Sequence, residues 1–281
     1  MPTQSNPSLT DDVDALKAVA ARIRGNLVKM SHEAKTPHLG SSLSCTDIVT
    51  TAYWGVLRLD PKKPRDPNRD RFILSKGHAA TTLYTTLNMR GFFPDGLLDS
   101  YAKNGSALQE HPGPACAPGI EAATGSLGHG LSIGIGMALS GRIQKQDYRV
   151  FALLSDGECN EGSVWEAAMF AAKQSLDQIC VIVDYNKWQA TGRSNDVLSL
   201  SPLREKWEAF GWDAHEIDGH DIGALLDIMG KVPNGSGKPL AIIANTVKGK
   251  GVSFMEDDNN WHYRIPTAEE VATAHSELGL K

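Results

Sequence analysis

Three continuous apolar runs limit what this chain of 281 residues can fold into more than any other feature. The runs are VFALLS at 150–155, ICVIVD at 179–184 and LAIIANT at 240–246, and stretches with helical periodicity separate them. A strand that is apolar at nearly every position must be covered on both faces, and parallel neighbours must be joined by crossovers, usually helices. The pattern therefore predicts an α/β fold with a doubly wound parallel sheet and helices on both faces.

The remaining elements follow from local periodicity. Apolar residues recur every three or four positions from Val13 to Met30, which predicts a first amphipathic helix. Further helices are predicted at about 46–57 and in the stretches VWEAAMFAAKQ, LREKWEAF and IGALLDIM, and RFILSKGH is predicted as a short strand ending in a Gly-His turn. No internal repeat divides the chain, so we predict a single domain over residues 1–281 with a polar tail at 1–10.

Composition and charge narrow the classes of partner. Hydrophobic residues make up 41% and charged residues 22% of the chain, as in an ordinary soluble protein. With a net charge of -5 the chain is not expected to bind nucleic acid, because such binding needs a clustered basic face. Because the sequence shows neither a membrane span nor a secretory signal, we expect a cytoplasmic protein without a membrane partner. The cysteines form no CxxC pair, which argues against a zinc site or a disulfide framework.

The best candidate site lies just beyond two of the apolar runs. Asp156 and Gly157 follow the first run, and Asn186 closely follows the second, 30 positions after Asp156. In open parallel sheets ligands bind at the carboxyl ends of the strands, and this spacing fits one crossover helix and the next strand. A carboxylate, a carboxamide and a nearby backbone carbonyl suit Mg²⁺ shared with a diphosphate, although Asp-Gly alone more often marks a turn.

Several ordered motifs together resemble the thiamine-diphosphate enzymes of the transketolase family. The family has Gly-Asp-Gly followed by Asn after a crossover, and Ser155 replaces the first glycine here. The stretches TPHLGSSLS, SKGHAA and EHP are similar to family segments through His38, His78 and His111. TGSLGHGLS is similar to the family's Thr-Gly-Pro-Leu-Gly loop, with Ser126 in place of the proline. The resemblance covers nearly the whole chain.

This resemblance implies a binding site for thiamine diphosphate and Mg²⁺. The metal ligands would be Asp156, the side chain of Asn186 and the backbone carbonyl of Trp188. The resemblance also implies cofactor contacts from a larger set of residues: His78, Gly125, Ser126, Leu127, Gly157, Glu158, Asn186 and His262.

Histidines are the candidates for the chemistry on the substrate. The resemblance places His38, His111 and His262 against the sugar, and imidazole has an unperturbed pKa of about 6.5, which suits proton movement near neutral pH. We expect structural roles for the other five histidines: His32, His129, His215, His220 and His275.

Two further features allow two interpretations each. Glu161 either links two active sites across a subunit interface, as the resemblance implies, or is a carboxylate favoured at a helix start. Lys248–Gly251 has the composition of a phosphate cradle, whereas the resemblance implies a loop that covers the cofactor and leads to His262.

The implied activity is transfer of a two-carbon ketol unit from a ketose, or a ketose phosphate, to an aldose acceptor. In the family the glutamate that activates the cofactor lies in a second, pyrimidine-binding domain. We therefore expect a C-terminal partner subunit, a two-plus-two assembly, and activity only with the partner. Two alternatives remain: transfer to an unusual acceptor, such as a carrier protein or a non-standard sugar, and a cofactor-binding homologue without turnover.

Overall fold

The structure, a computed structural model, describes residues 9–280, so most of the predicted polar tail lies outside the described residues. The strands of this range form one parallel sheet in the order β1-β2-β3-β5-β4. They are Arg71–Leu74 (β1), Val150–Ser155 (β2), Ile179–Tyr185 (β3), Asp213–Asp218 (β4) and Leu240–Asn245 (β5).

Helices connect the strands. They are Val13–Ala34 (α1), Leu39–Ser44 (α2), Thr46–Thr51 (α3), Ala80–Arg90 (α4), Asp95–Leu98 (α5), Gly130–Ile143 (α6), Gly162–Lys173 (α7), Ser194–Val197 (α8), Leu203–Ala209 (α9), Ile222–Gly230 (α10) and Ala268–Glu277 (α11). Short 3₁₀ turns lie at Gly77–Ala79, Gly157–Asn160 and Asn259–His262. Within residues 9–280, every helix is too short or too polar to span a membrane.

The two faces of the sheet carry separate hydrophobic cores. Phe151 and Leu153 of β2 point into one core, which α1, α3, α4 and α10 cover. Ala152 and Leu154 point into the other, which α6, α7 and α9 cover. Side chains of a strand alternate between faces, so a strand with a core on each side must be apolar throughout. The predicted parallel sheet with helices on both faces is therefore confirmed.

Strand register brings the predicted site residues to one edge. Ser155 at the end of β2 pairs with Asp184 near the end of β3. The chain stays paired beyond that point, since the Asp156 amide donates to the Asp184 carbonyl at 3.3 Å. The amide of Ser75, just after β1, donates to Leu153 at 2.9 Å. The carboxyl ends of three strands thus lie side by side.

Two elements differ from the expectation. Strand β4 was not predicted, because it is an edge strand whose sequence DAHEID is polar at four of six positions and lacks a continuous apolar run. The helix predicted at about 46–57 ends as α3 at Thr51 and continues as a wider π turn at Ala52–Val56. Leu226 of α10 packs so close to Gly55 in this turn that an added Cβ would clash with its side chain.

Candidate active site

Four histidine rings from separate segments meet beyond the end of β1. His38 precedes α2, His78 lies in the turn after β1, His111 lies in the loop before α6, and His262 ends the last 3₁₀ turn. The centroid of the His38 ring lies 4.9 Å from His262, 5.5 Å from His78 and 6.0 Å from His111. The structure therefore brings together the four histidines that the motifs singled out.

The backbone holds His38 at the centre of this cluster. Its φ of 70° lies in the left-handed region, which is uncommon for a residue other than glycine. Its amide donates to the carbonyl of His262 at 2.9 Å. This bond joins the segment before α2 to the last 3₁₀ turn, and it sets the two rings at nearly a right angle, 88° between their planes.

The environment of His38, His78 and His262 favours their neutral form. Burial, followed by the nearby His111, Lys248 and Lys76, lowers the pKa of His38 to about 4. Burial and the same two lysines, together with His38, lower the pKa of His262 to about 3. Burial also lowers the pKa of His78 well below its ordinary value. A neutral imidazole can donate through one nitrogen and accept through the other, so these rings can exchange protons with a ligand.

Two buried lysines lie at the site: Lys248 belongs to the Lys248–Gly251 segment already singled out, whereas Lys76 was missed in the sequence. The ammonium of Lys76 donates to Asp184 Oδ2 at 2.5 Å and to the carbonyl of Ser41 at 2.9 Å. The ammonium of Lys248 donates to Asn259 Oδ1 at 2.7 Å and lies 3.3 Å from Nδ1 of His262. Lys76 directly precedes Gly77 and the site histidine His78, and this signal could have revealed it.

Asp156 is fully buried directly after β2. Its Oδ1 accepts the amide of Gly157 at 2.8 Å, and its Oδ2 accepts the amide of Lys187 and the hydroxyl of Ser194, each at 2.8 Å. Burial, reinforced by the charge of Asp184, raises the pKa of Asp156 to about 6. A buried carboxylate that is held this firmly, and that forms no salt bridge within residues 9–280, is suited to a positively charged ligand.

Asn186 and Trp188 lie in the loop after β3. Asn186 Oδ1 accepts the amide of Trp188 at 3.1 Å, and its Nδ2 is 3.4 Å from Asp184 Oδ2. The Trp188 ring packs at the rim of the site, where its indole donates to Asp257 at 2.8 Å and the guanidinium of Arg193 stacks 3.8 Å from the ring centre. The ring therefore has a packing role, and its backbone carbonyl is the atom available for ligation.

Glu158 connects three parts of the site through its buried carboxylate. Its Oε1 accepts the Ser75 hydroxyl and the Gly128 amide, the latter at 2.8 Å, and its Oε2 accepts the Ser155 amide at 3.2 Å. Burial raises the pKa of this carboxyl. Because both oxygens bind the protein, the side chain ties the glycine-rich loop (residues 124–130) to the ends of β1 and β2, and its contact with a cofactor stays a prediction.

The glycine-rich loop approaches the turn after β1 backbone to backbone. A Cβ added at Gly77 would lie 2.6 Å from the amide nitrogen of Gly125. Gly125 has a φ of 136°, and its added Cβ would lie 2.9 Å from the ring of His111. Only glycine allows this approach. Ser126, which follows, is exposed, and Leu127 is partly buried.

Unpaired polar atoms at these turns fit a ligand rich in oxygen. Nε2 of Gln189 and Oγ1 of Thr124 are buried without a hydrogen-bond partner among residues 9–280. The side chain of Gln189 lies against Gly157, at 3.0 Å from the position of an added Cβ. A buried donor left unpaired costs about 1–3 kcal/mol, so an acceptor such as a phosphate oxygen is favoured there.

The described chain offers a mixed set of oxygens for a metal. No group of three or more His, Cys, Asp or Glu side chains suited to a metal ion occurs between residues 9 and 280. One carboxylate (Asp156), one carboxamide (Asn186) and the Trp188 carbonyl remain as the possible donors, and hard oxygen ligands of this kind are those that Mg²⁺ takes beside a diphosphate.

The other singled-out residues lie outside the cluster. Glu161 is exposed at the start of α7 and its side chain makes no capping hydrogen bond. A carboxylate at this position still interacts favourably with the helix dipole, so both interpretations of Glu161 stay predictions. Each of the five histidines expected to be structural has a partner elsewhere: His32 with Pro266, His129 with Leu127, His215 with Asp213, His220 with Asp47 and His275 with Gly25.

Relatives of known name share this sequence over most of its length. Residues 15–281 match the family described as Transketolase, thiamine diphosphate binding domain. The chain is 40% identical over 266 residues to one of the apulose-4-phosphate transketolase subunits of Phocaeicola vulgatus, covering 95% of this chain and 94% of that protein. It is 39% identical over 241 residues to the 6-deoxy-6-sulfo-D-fructose transketolase subunit SqwG of Clostridium sp., covering 86% and 88%.

A solved structure has the same fold. The transketolase of Campylobacter jejuni superposes with a TM-score of 0.90 at 27% sequence identity, over 96% of this chain and 43% of that one. This chain therefore spans less than half of that transketolase, whereas it spans most of the two relatives above. The chain belongs to the transketolase family, and residues 15–281 correspond to its thiamine diphosphate binding domain.

Proposed function

We propose that this chain is the thiamine-diphosphate-binding subunit of a two-chain transketolase, which transfers a two-carbon ketol unit from a ketose or ketose phosphate to an aldose. The observation that carries the proposal is the meeting of four imidazole rings from separate segments. The buried Lys76–Asp184 pair links this cluster to the loop of Asn186. One end of the site thus suits proton exchange with a sugar, and the other suits a metal-bound diphosphate.

In this proposal Asp156, the Asn186 side chain and the Trp188 carbonyl hold Mg²⁺. The buried carboxylate of Asp156 supports this role, because a divalent cation would stabilise its ionised form against the burial that raises its pKa. His78, His262 and the Gly157 amide would hold the diphosphate. When bound, thiamine diphosphate supplies a nucleophilic carbon, and the protein supplies orientation and electrostatics.

The glycine-rich loop would present backbone groups to the aminopyrimidine from Gly125, Ser126 and Leu127. The tight approach of Gly77 to Gly125 supports this role, since it fixes the loop against the turn that carries His78. Glu158 would support the loop, because its carboxylate binds the Gly128 amide.

His38, His111 and His262 would face the substrate and move protons to and from its hydroxyl groups. The lowered pKa values of His38 and His262 support this role, because each neutral ring keeps one nitrogen that accepts a hydrogen bond and one that donates at neutral pH. The ammonium of Lys248, beside His262, adds a donor for negative charge.

We further propose that residues 1–281 form a single domain in a two-plus-two assembly with a C-terminal, pyrimidine-binding subunit, in the cytoplasm. Two relatives named as subunits of an apulose-4-phosphate transketolase support the split, since this chain covers 94% and 96% of their lengths. Exposed Met169 and Phe170 on α7 support a contact with another chain on that face. Glu161, exposed at the start of α7, would lie on the same side.

A non-standard sugar is the second candidate for the substrate. The names of two relatives refer to apulose 4-phosphate and to 6-deoxy-6-sulfo-D-fructose. Substrate panels should therefore include branched and sulfonated sugars beside the common ketose phosphates.

A coupled assay tests the proposed function. The chain and its pyrimidine-binding partner are mixed with thiamine diphosphate, Mg²⁺, one donor from the panel and an aldose acceptor, and the chain-lengthened ketose is measured by mass spectrometry. Transfer that depends on both chains supports the proposal. Cofactor binding without transfer from any donor would instead support a homologue without turnover.

A further inference from the structure

A buried network of three side chains lies beneath the turn that carries Lys248. Arg24 of α1 donates to both oxygens of Asp47 in α3, at 3.0 and 2.7 Å. His220, in the turn between β4 and α10, donates from Nδ1 to Asp47 Oδ2 at 2.7 Å. Arg24 and Asp47 are only 7% and 6% exposed. The network therefore joins three elements in a water-poor interior, where charged hydrogen bonds are strong.

Two members of the network hold the backbone on both sides of Lys248. Nε2 of His220 accepts the amide of Val247 at 2.9 Å. Nε of Arg24 donates to the carbonyl of Lys250 at 2.9 Å. Because Nε2 accepts a hydrogen, the proton of the neutral ring must sit on Nδ1, where Asp47 receives it. Asp47 thereby fixes the tautomer and the direction of the ring.

This turn also fixes the position of the Lys248 ammonium in the candidate active site. The Lys248 side chain is fully buried, and its ammonium reaches Asn259 Oδ1 at 2.7 Å and Nδ1 of His262 at 3.3 Å. The amide of Gly249 donates to the carbonyl of Gly40 at 3.0 Å. A long side chain packed this tightly follows its backbone, so a shift at Val247 would move the ammonium away from His262.

We propose that His220, oriented by Asp47, is a positioning residue for the cofactor site, holding Val247 so that the Lys248 ammonium stays beside His262. The inference rests on the proposed function, because the benefit of this placement is tighter binding of the cofactor. His220 itself touches no site residue. Its loss acts through the turn and removes no side chain that is proposed to contact the cofactor.

Two substitutions at His220 separate its hydrogen bonds from its bulk. His220→Gln keeps a donor and an acceptor at a similar spacing, toward Asp47 and Val247, whereas His220→Leu removes both. Asp70→Asn is the matched control, because Asp70 is 1% exposed, binds Arg58 and Arg149, and precedes β1 at the opposite ends of the strands.

Calorimetric titration of thiamine diphosphate with Mg²⁺, in the assembly with the partner subunit, measures the effect. We expect His220→Leu to weaken binding by about 10- to 100-fold, which is the typical loss when a residue that orients a ligand-binding side chain is removed. His220→Gln should restore affinity close to the parent, and Asp70→Asn should leave it unchanged at temperatures below its own Tm. Parental affinity in His220→Leu, or an equal loss in Asp70→Asn, overturns the inference.

Hydrogen exchange separates this inference from the proposed function. The amide of Val247 should exchange faster in His220→Leu than in the parent, and at the parental rate in His220→Gln. If the parent binds no thiamine diphosphate, the proposed function fails whatever His220 does. Unchanged exchange at Val247 shows that His220 does not hold the turn. If His220→Leu does not assemble, Asp47→Asn provides the same test, with weaker binding expected and parental binding contradicting it.

Discussion

His38 shows how single residues of this site are held by backbone contacts. Its left-handed conformation, with a φ of 70°, costs free energy and persists only where the surroundings impose it, and such positions cluster at functional sites. The bond from its amide to the His262 carbonyl imposes it here. The rings consequently stay close together although they come from distant parts of the chain.

The histidines should divide into two roles. His111→Ala should leave the affinity for thiamine diphosphate near the parental value and lower kcat/KM for the ketose donor by about 10- to 1,000-fold, the scale of losing a proton-transfer group or a positioned hydrogen bond. His78→Ala should first weaken cofactor binding. Steady-state kinetics and calorimetry on both variants check this, and the same profile for the two would refute the division.

Asp156 should be indispensable for the metal. Asp156→Ala should weaken Mg²⁺-dependent binding of thiamine diphosphate by more than about 100-fold. This exceeds the loss that is typical when only a hydrogen-bond partner of a metal ligand is removed. Asp227→Ala is a suitable control, since Asp227 is exposed on α10 and, in the described part of the chain, pairs with Lys231 alone. Calorimetry with and without Mg²⁺ measures both variants. Equal cofactor affinity in the two variants would contradict the proposed metal role.

The lowered pKa values predict a pH dependence of stability. In the unfolded chain these histidines have a pKa of about 6.5, whereas in the folded protein the pKa is about 4 for His38 and about 3 for His262. As the pH falls below 6.5, the unfolded chain therefore takes up protons before the folded protein does. The stabilisation is therefore complete above pH 6.5 and is lost as the pH falls toward the folded values. Urea unfolding at about pH 7 and about pH 5 should show a smaller acid loss in His38→Asn than in the parent. An identical loss in both would refute it.

The residues of the site were easier to predict than the side chains that they contact. Asp156, Asn186 and the clustered histidines could be singled out because strand ends and glycine turns mark them in the sequence. The pairing of Lys76 with Asp184 could not, since it joins side chains 108 positions apart through the packing of two strand ends. The buried bonds of Glu158 depend on tertiary structure in the same way.

Among the elements, the central strands were predictable and the edge of the sheet was not. Strands β2, β3 and β5 are covered on both faces, and this burial shows in the sequence as continuous apolar runs. Strand β4 has only β5 as a neighbour, so polar residues are tolerated and the signal vanishes.

The glycine-rich loop provides a test at this scale. Gly125→Ala introduces a Cβ at a φ of 136° and 2.9 Å from the His111 ring, so the loop must move. A displacement of about 1 Å near the reacting groups can lower the rate about 100-fold, and we expect kcat/KM to fall by that order. Gly96→Ala on α5 is the control, because no atom lies within 4 Å of its added Cβ. If Gly125→Ala reacts as fast as this control, the loop does not shape the site.

For the whole molecule, the proposal requires two kinds of chain. In the proposal this chain carries the diphosphate and metal end of the site, and the pyrimidine-binding partner carries the glutamate that activates the cofactor. The exposed apolar side chains of α7 give a second chain a surface to cover. Neither the partner's identity nor its contacts can be derived from periodicity within one chain, because an interface shows in the sequence only as exposed apolar positions.

Reconstitution from the two purified chains is the most direct measurement. This chain by itself, the pyrimidine-binding partner by itself and their mixture are each supplied with thiamine diphosphate, Mg²⁺, the donor panel and an aldose, and formation of the chain-lengthened ketose is followed over time. We predict turnover in the mixture, its loss when Asp156→Ala replaces the parent chain, and none with either chain by itself. Robust ketol transfer by this chain without its partner, or transfer by the Asp156→Ala mixture at the parental rate, would contradict the account.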